Sequence, residues 1–421
     1  MRILIVGAGG REHALVRALR RSPSRPHVLC APGNPGIAAD ARLLDVGVGD
    51  VDSLVAAACD ERVDLVVVGP EASLVAGAAD ALAGAGVACF GPSAAAARLE
   101  GSKAFAKEIM EAAGVPTGRA RVVGGVDEGL DAIDGYPVAL KADGLAAGKG
   151  VVIAEDREHA EATLRAMLVE RVFGDMPVLV EEYLEGEELS LLALCDGERA
   201  LGMAPAQDYK RIFDGDRGPN TGGMGSYSPV PGIDAARVEE IIATVHQPVI
   251  EVLRDRGTPF HGVLYAGLML TAGGPRVVEF NVRFGDPEAQ AVLPRLRADL
   301  SDVLLAATRP GGLADVELEW DERFAVTVVL ASAGYPQSAS TGDPISGLDA
   351  LAPDIEVTHA GTARSDGRLV TAGGRVLNVT ALDRDAGAAR DAAYAAADVI
   401  EFAGKQMRRD IALRVVEGAA R

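Results

Sequence analysis

Residues 3–20 read ILIVGAGGREHALVRALR, which is an apolar run, a glycine turn and a helical pattern in that order. Three further apolar runs lie at His27–Ala31, Leu65–Val68 and Val87–Phe90, and Ser53–Cys59 has a helical pattern between two of them. Buried parallel strands appear in a sequence as continuous apolar runs, and helices connect them. We therefore predict a doubly wound parallel sheet of Rossmann-like type, whose ligands gather at the carboxyl ends of its strands.

After residue 101 the pattern becomes mixed α+β. Ser102 is placed to cap a helix that runs to about Ala113. Apolar runs bounded by turns predict further strands at Val138–Lys141, Val151–Ala154, Val178–Tyr183, Leu189–Cys195, Leu264–Leu270, Arg276–Phe280, Phe324–Leu330 and Val376–Thr380. An alanine-rich helix follows at Ala388–Val399. We expect a large central α+β region followed by a small C-terminal α+β domain.

The composition excludes several classes of protein. The chain has 421 residues, 48% of them hydrophobic, which is enough for a large core and argues against disorder. It has 41 Lys and Arg against 61 Asp and Glu, a net charge of −20, so nucleic acid and anionic membranes are poor partners. No apolar run approaches the roughly 18 residues of a membrane span, and the 4 scattered cysteines favour a reducing, cytoplasmic location.

Two glycine-rich segments are candidate phosphate sites. Gly7–Gly10 lies between a predicted strand and a helix, where backbone amides can bind a phosphate, although a ligand-free tight turn has the same pattern. Lys141 and Lys149 flank a second glycine-bearing loop that could close over a polyphosphate, the alternative being a mobile hairpin with solvated lysines. This second loop is not a P-loop, because Gly150 stands where Ser or Thr is required.

Polar segments in the central region are further candidates. The acidic run at 181–188 is typical of a solvated face, but its place after a buried strand allows a ribose-binding carboxylate. The glycine-dense polar segment 207–225 is predicted to be a long functional loop. Glu279, Asn281 and Arg283 alternate along a predicted strand and share one face. Two oxygen ligands suited to Mg²⁺ beside an anion clamp favour a site over a solvated outer face.

Taken together, these segments resemble the phosphoribosylamine–glycine ligases, a family of the ATP-grasp superfamily, over almost the whole chain. The most specific motifs are GPNTGGMG at 218–225 and EFNVRFGDPE at 279–288. Others are VGAGGREHAL at 6–15, APGN at 31–34, VGPE at 68–71, LEGSK at 99–103, QDYKR at 207–211, YAGL at 265–268, HAGT at 359–362 and GGRVL at 373–377. The chain departs from the family pattern at Ala8 and Tyr209, and has Leu268 where related enzymes often carry a second acidic metal ligand.

The resemblance implies three domains and one reaction. Residues 1–101 would form a substrate-binding domain, 102–315 an ATP-grasp domain with a mobile lid at about 117–190, and 316–421 a C-terminal domain. The activity implied is ATP-dependent joining of glycine to 5-phosphoribosylamine through a glycyl phosphate, which yields glycinamide ribonucleotide, ADP and phosphate in de novo purine biosynthesis. The cofactor would be Mg²⁺ or Mn²⁺, the partners small molecules, and the protein a monomer.

The same resemblance implies roles for individual residues. Lys103 and Lys141 would hold ATP phosphates, with Gly144, Gly148 and Lys149 in the lid. Glu181, Glu182, Tyr183 and Leu184 would hold adenine, largely through backbone groups, with Glu188 on the ribose and Arg211 and Asn220 on the triphosphate side. Glu279 and Asn281 would bind the metal. Arg283 would hold the glycine carboxylate or its acyl phosphate, and Asp208 the amine of glycine. Gly10, Arg11, Asn34 and Glu71 would line the phosphoribosylamine pocket.

Three alternatives can be weighed on the residues. A nicotinamide oxidoreductase needs an acidic residue about 20 positions after the glycine turn, where this chain has Arg20, Arg21 and Arg25. A nucleotide sensor without catalysis would lose the metal ligands, which are both present. Another ATP-grasp carboxylate–amine ligase or carboxylase of nucleotide metabolism would share the central domain but not the string at 218–225. The sequence therefore favours the glycine ligase, with the other ATP-grasp enzymes as the alternative.

Overall fold

The computed structural model describes residues 1–145 and 150–419, so the predicted lid residues Gly148 and Lys149 lie outside the described residues. Its first hundred residues form the predicted parallel sheet. The elements are β1 (Arg2–Gly7), α1 (Gly10–Arg21), β2 (His27–Pro32), α2 (Ile37–Asp40), β3 (Arg42–Leu43), α3 (Val51–Asp60), β4 (Leu65–Val68), α4 (Glu71–Val75), α5 (Ala78–Gly84), β5 (Ala88–Phe90) and α6 (Ala94–Gly101). The strand order is β3-β2-β1-β4-β5, and every neighbouring pair is parallel.

The central strand explains why this part of the chain could be predicted. Ile3, Leu4, Ile5 and Val6 of β1 are all buried, because helices cover both faces of the sheet. The edge strand β3 was not predicted, since two residues are too short to form an apolar run. The confirmed strands end at the glycine turns, so the loops after β1 and β4 lie side by side.

The part of the chain around the glycine-rich loop forms a second sheet. Its elements are α7 (Lys103–Ala112), β6 (Ala120–Val123), α8 (Val126–Asp131), β7 (Val138–Ala142), β8 (Val151–Ala154), α9 (Arg157–Leu168) and β9 (Val178–Glu182). The order is β6-β9-β7-β8. Strands β7 and β8 form the predicted hairpin, with Lys141 opposite Val151. The predicted cap is also confirmed, because Ser102 Oγ accepts a hydrogen bond from the Phe105 amide at 3.1 Å.

A third, antiparallel sheet carries the EFNVRFGDPE motif. The elements of this region are β10 (Glu187–Asp196), β11 (Ala200–Gly202), β12 (Gln207–Asp208), β13 (Arg211–Phe213), β14 (Arg217–Asn220), β15 (Gly225–Ser228), α10 (Ala235–Ile241), a π-helix (Ile242–His246), α11 (Gln247–Asp255), β16 (His261–Thr271), β17 (Gly274–Asn281), α12 (Glu288–Val292), a 3-10 turn (Leu293–Arg295) and α13 (Leu300–Ala306). The sheet has the order β11-β10-β16-β17. Its register places Glu279 opposite Gly267 and Asn281 opposite Tyr265.

The C-terminal sheet includes two strands from the central region. The remaining elements are β18 (Phe324–Ala331), a 3-10 turn (Leu348–Ala350), β19 (Glu356–His359), β20 (Thr362–Ser365), β21 (Arg368–Thr371), β22 (Arg375–Asp383), α14 (Ala386–Val399) and α15 (Leu413–Ala419). The order β12-β15-β18-β22-β19 joins two strands of segment 207–228 to three strands after residue 316. The prediction of a long loop over 207–225 is therefore wrong. Four short strands form here: β12 pairs with β15 and β13 with β14, and β15 also pairs with β18, about a hundred residues away.

None of the helices in the described part of the chain combines the length and the apolar character needed to cross a bilayer.

Candidate active site

A cavity of about 300 Å³ lies where the N-terminal, central and C-terminal sheets meet. Ten of the residues predicted from the sequence line it, and they come from segments as distant as α1 and β17. These residues are Arg11, Glu71, Lys103, Lys141, Gly144, Glu181, Asp208, Glu279, Asn281 and Arg283. The fold thus brings together the candidate nucleotide, metal and substrate groups in one space.

Three lysines surround one end of the cavity. Lys141 Nζ lies 2.7 Å from Glu181 Oε2 and donates a hydrogen bond to the Val278 carbonyl. Lys107 Nζ donates to Glu181 Oε1 at 2.6 Å, and Lys103 Nζ donates to the Gly144 carbonyl at 2.9 Å. Two lysines thus engage the Glu181 carboxylate, so this side chain is not available to a base. Burial lowers the pKa of Lys103 and of Lys107, although nearby carboxylates oppose the shift.

Apolar side chains line the same end of the cavity. They come from α7 on one side and from strands of the two central sheets on the other. The group consists of Ala106, Met110, Val151, Leu179, Val278 and Phe280. A slot of this kind can bury a flat aromatic ring, while the lysines at its rim can meet phosphate groups. Lys107 was missed from the sequence, although it follows Lys103 by one helical turn and therefore shares its face.

Glu279 and Asn281 lie on β17 at the middle of the cavity. Burial opposes ionisation of Glu279, but the positive charges of Lys210, Lys141, Lys103 and Arg283 outweigh it and lower the pKa of the carboxyl group. Among the residues that the structure describes, no three His, Cys, Asp or Glu side chains come together as a metal site. An ionised carboxylate and an amide oxygen nevertheless suit Mg²⁺, which commonly takes one or two protein ligands and completes its shell with phosphates and water.

Arg283 bridges the central and N-terminal regions. Its Nη2 atom donates to Glu100 Oε1 at 3.0 Å and to Asn281 Oδ1 at 3.2 Å, and its Nε atom donates to Glu71 Oε2 at 3.4 Å. Strand β17 ends at Asn281, so the prediction that Arg283 belongs to the same strand is wrong. The chain bends there, because the Val282 amide donates to Glu100 Oε2 instead of to a strand partner. Arg283 still remains beside Asn281.

A buried polar cluster forms the other end of the cavity. The side chain of Asp208 is only 5% exposed, and its Oδ1 atom has no hydrogen-bond partner among the described residues, while Lys210 Nζ lies 3.4 Å away. Burial raises the pKa of Asp208 to about 7, although Lys210 opposes the shift. Glu288 Oε1 accepts hydrogen bonds from Tyr265 at 3.0 Å and from Ser190 at 3.1 Å. Such a pocket can bind a small cationic group.

Several lining residues were missed by the sequence reasoning. They are Glu100, Lys107, Lys210, Tyr265, Asp286, Glu288 and Arg375. All except Lys107 lie inside the family motifs given above. Their position in those motifs was the signal in the sequence that could have identified them. Arg375 donates to the carbonyls of Gly222 and Asp286, so the C-terminal domain reaches the cavity through this side chain.

The predicted phosphoribosylamine residues surround the loops after β1, β2 and β4. Arg11 Nη1 donates to the Phe284 carbonyl at 3.1 Å, and Arg11 Nη2 lies 3.9 Å from Glu71 Oε2. A Cβ at Gly10 would overlap with the amide groups of Asn378 and Gln290, so only glycine fits there. Asn34 donates to the carbonyls of Ala8 and His359 and accepts from two backbone amides. Its side chain therefore fastens loops together.

The other predicted residues lie around the cavity and are not among the described residues that line it. These are Gly10, Asn34, Glu182, Tyr183, Leu184, Glu188, Arg211 and Asn220. Glu182 and Tyr183 line a neighbouring open cavity of about 410 Å³. The carboxylate of Glu188 pairs with Lys210. Arg211 donates to the Gly218 carbonyl at 2.7 Å and stands opposite Asn220 in the β13–β14 hairpin.

Three domain models of one known protein family match most of the chain. Residues 1–100 match the N domain of phosphoribosylglycinamide synthetase, residues 101–289 its ATP-grasp (A) domain, and residues 325–414 its C domain. A phosphoribosylamine–glycine ligase of Streptomyces coelicolor is 52% identical over 98% of this chain and 99% of its own length.

Solved structures agree with these matches. The crystal structure of the phosphoribosylamine–glycine ligase of Thermotoga maritima has a TM-score of 0.84 and 34% identity, covering 98% of this chain and all of that chain. A biotin carboxylase of Campylobacter jejuni, solved as an ATP-analogue complex, has a TM-score of 0.72 but only 16% identity, covering 99% of this chain and 95% of that chain. The second similarity shows a shared fold alone.

Proposed function

The chain belongs to the phosphoribosylglycinamide synthetase family, and we propose that its central cavity is where glycine is joined to 5-phosphoribosylamine with ATP. The enzyme is an ATP-dependent ligase of de novo purine biosynthesis, and its products are glycinamide ribonucleotide, ADP and phosphate. One observation carries the assignment to this cavity. Lys103, Lys141, Glu279, Asn281 and Arg283 all line the same cavity, so the groups for phosphate, metal and carboxylate are in reach of one another.

The nucleotide occupies the lysine end in this proposal. Adenine lies in the apolar slot against the backbone of residues 181–184, with Glu188 reaching the ribose. Lys103 and Lys141 hold the phosphates, Arg211 and Asn220 support the triphosphate side, and Gly144, Gly148 and Lys149 form the lid. The apolar lining and the two engaged carboxylate oxygens of Glu181 support this placement.

Glu279 and Asn281 would hold Mg²⁺ or Mn²⁺. When bound, the cation would neutralise phosphate charge during phosphoryl transfer. The ionised state of Glu279 and the oxygen donor of Asn281 fit such an ion. Both metals accept oxygen ligands, so the choice between them is tested by measuring activity with each.

The chemistry takes place between Asn281, Arg283 and Asp208. A glycine carboxylate oxygen attacks the γ-phosphorus of ATP, ADP leaves, and glycyl phosphate forms. The amine nitrogen of phosphoribosylamine then attacks the glycyl carbonyl carbon, phosphate leaves, and the nitrogen gives up a proton to the departing phosphate. Arg283 binds the carboxylate and then the acyl phosphate, whose charge it can meet with two parallel N–H groups. Asp208 binds the glycine ammonium. In this mechanism Arg283 and Asp208 bind and orient glycine, and neither side chain acts as an acid or a base.

Phosphoribosylamine would enter from the N-terminal sheet. Arg11 and Glu71 line the cavity there, while Gly10 and Asn34 fix the loops that form its wall. Helix α1 begins at Gly10, so its N-terminal amides favour a phosphate group. The acidic Glu71 is placed to meet the amine, and the pKa of its carboxyl group is lowered by Arg283 and Arg11 against the effect of burial.

We further propose three features of the whole molecule. The domains are 1–101, 102–315 with a lid at about 117–190, and 316–421. The enzyme acts as a monomer, and sedimentation analysis tests this. It works in the cytoplasm on small molecules, with no nucleic acid or membrane partner.

The direct test is release of ADP. The protein is supplied with ATP, glycine, Mg²⁺ and freshly made phosphoribosylamine, and each component is omitted in turn. We expect ADP and glycinamide ribonucleotide in equal amounts only with all four present. Equal ADP release without glycine, or with another amino acid in its place, would exclude the proposed reaction.

A further inference from the structure

Residues Arg408–Ala412, here called the C-terminal strap, pass beneath segment 208–220 on the side away from the cavity. The side chain of Arg408 is completely buried. Its Nη1 atom donates to the Arg211 carbonyl at 3.1 Å and to Asp216 Oδ1 at 2.9 Å. Its Nε and Nη2 atoms donate to the two carboxylate oxygens of Asp410 at 2.7 and 2.6 Å. The guanidinium therefore joins the strap to strand β13 and to the turn of the β13–β14 hairpin.

Tyr209 connects the strap to the cavity. Its ring lies against the Arg408 guanidinium, with the Arg408 Cζ atom 4.7 Å from the ring centroid. Its hydroxyl accepts a hydrogen bond from the Ala412 amide at 2.9 Å. The two chain neighbours of Tyr209, Asp208 and Lys210, both line the cavity. The strap thus holds the side chain between two cavity residues.

Two backbone contacts reinforce this arrangement at the tip of the hairpin. The Gly215 amide donates to Asp410 Oδ2 at 2.8 Å, and the Arg409 amide donates to Asp214 Oδ1 at 2.7 Å. The planar guanidinium of Arg408 donates four N–H hydrogen bonds to fixed partners, and only one orientation of the side chain satisfies all four. A lysine could not reproduce this arrangement. A buried charge of this kind is costly to remove, because Asp216 and Asp410 would lose their shared partner.

We propose that the C-terminal strap, through Arg408 and Tyr209, positions Asp208 and Lys210 for glycine. Arg408 and Tyr209 are positioning residues, since they reach the cavity only through segment 208–211. The inference rests on the proposed role of Asp208. A displacement of Asp208 by a fraction of an ångström would weaken glycine binding. ATP affinity would fall less, because the strap reaches the nucleotide end only through the Arg211 carbonyl and does not touch Lys103 or Lys141.

The test compares neighbouring arginines of the strap. Arg408→Gln removes the buried contact, whereas Arg409→Gln changes an exposed side chain that pairs with Asp398. Steady-state kinetics with glycine and ATP varied separately, and nucleotide titration, are measured for each folded variant. For Arg408→Gln we expect the KM for glycine to rise about tenfold and kcat to fall, with a clearly smaller rise in the KM for ATP, since Lys103 and Lys141 continue to hold the phosphates. Arg409→Gln should match the parent enzyme.

Tyr209→Phe keeps the proposal testable if Arg408→Gln does not fold. It removes one hydroxyl and should raise the KM for glycine by a smaller factor than Arg408→Gln, again with a smaller effect on the KM for ATP. Unchanged glycine kinetics in folded Arg408→Gln or Tyr209→Phe, or equal losses for glycine and ATP, would overturn the positioning role. Asp208→Asn is measured in parallel. If it leaves the KM for glycine unchanged, the proposed role of Asp208 fails, independently of the strap.

Discussion

Arg283 Nε and Glu71 Oε2 lie 3.4 Å apart, and this contact joins the end of the third sheet to the first residue of α4, which follows β4 of the N-terminal sheet. Arg283 also donates to Glu100, so two carboxylates from the N-terminal side face one guanidinium. The residue proposed to hold glycine is thus in contact with a residue proposed to meet phosphoribosylamine. The two substrates to be joined would therefore meet at this contact.

Replacing Arg283 tests the carboxylate end of the reaction. Arg283→Lys keeps the charge but loses the planar fork, so turnover and glycine affinity should fall by about 2–4 kcal/mol in transition-state stabilisation, as for a lost preorganised donor. ATP binding should change little. Steady-state kinetics with glycine varied, together with nucleotide titration, check this. Arg237→Lys is the control, because Arg237 pairs with Glu240 on helix α10, outside the cavity. Lost ATP affinity with intact glycine kinetics would assign Arg283 to the nucleotide instead.

Replacing Glu279 tests the metal site. Glu279→Gln keeps the size and removes the charge that the surrounding lysines stabilise, so metal-dependent turnover should collapse while folding survives. The measurement is ADP release as a function of Mg²⁺ and Mn²⁺ concentration, with circular dichroism as the folding check. Glu161→Gln is a suitable control, since Glu161 forms an exposed pair with Arg165. A parent-like metal dependence in Glu279→Gln would refute the assignment.

The pH dependence of glycine use reports on Asp208. Its pKa is raised to about 7 by burial, so below that pH the carboxyl group is neutral and binds the glycine ammonium weakly. We expect kcat/KM for glycine to increase as pH rises through about 7, because the amino group of glycine stays protonated over this range. The increase should disappear in Asp208→Asn. A rise of the same size in that variant would show that another group controls the profile.

His246 should make the fold sensitive to acid. It is fully buried in the π-helix, and burial lowers its pKa to about 4 from 6.5. Between pH 6.5 and 4 the unfolded chain binds a proton that the native protein does not, so the free energy of unfolding falls with falling pH. The loss amounts to about 3 kcal/mol at pH 4. Urea denaturation across this range should show a shallower decline for His246→Gln. His27→Gln, at an exposed position, should retain the parent slope.

The amino-acid sequence by itself determined the layers of this protein and ten of the residues that line its central cavity. The apolar runs of β1, β2 and β4 and the alternation of Glu279 with Asn281 are local patterns, because a strand has a period of two and a buried parallel strand is apolar throughout. The family motifs then added further cavity residues, such as Lys103 and Asp208, to the same expectation.

Only the tertiary structure decided which side chains meet. Strands β12 and β15 are two and four residues long, and they form because strand β18, about a hundred residues later, pairs with β15. Arg375 reaches the cavity from the C-terminal domain, and Arg408 lies beneath Tyr209 from nearly two hundred residues away. Such contacts leave no periodic signal in the chain, because hydrogen bonds and ion pairs between distant segments depend on how the sheets pack and not on the spacing of neighbouring residues.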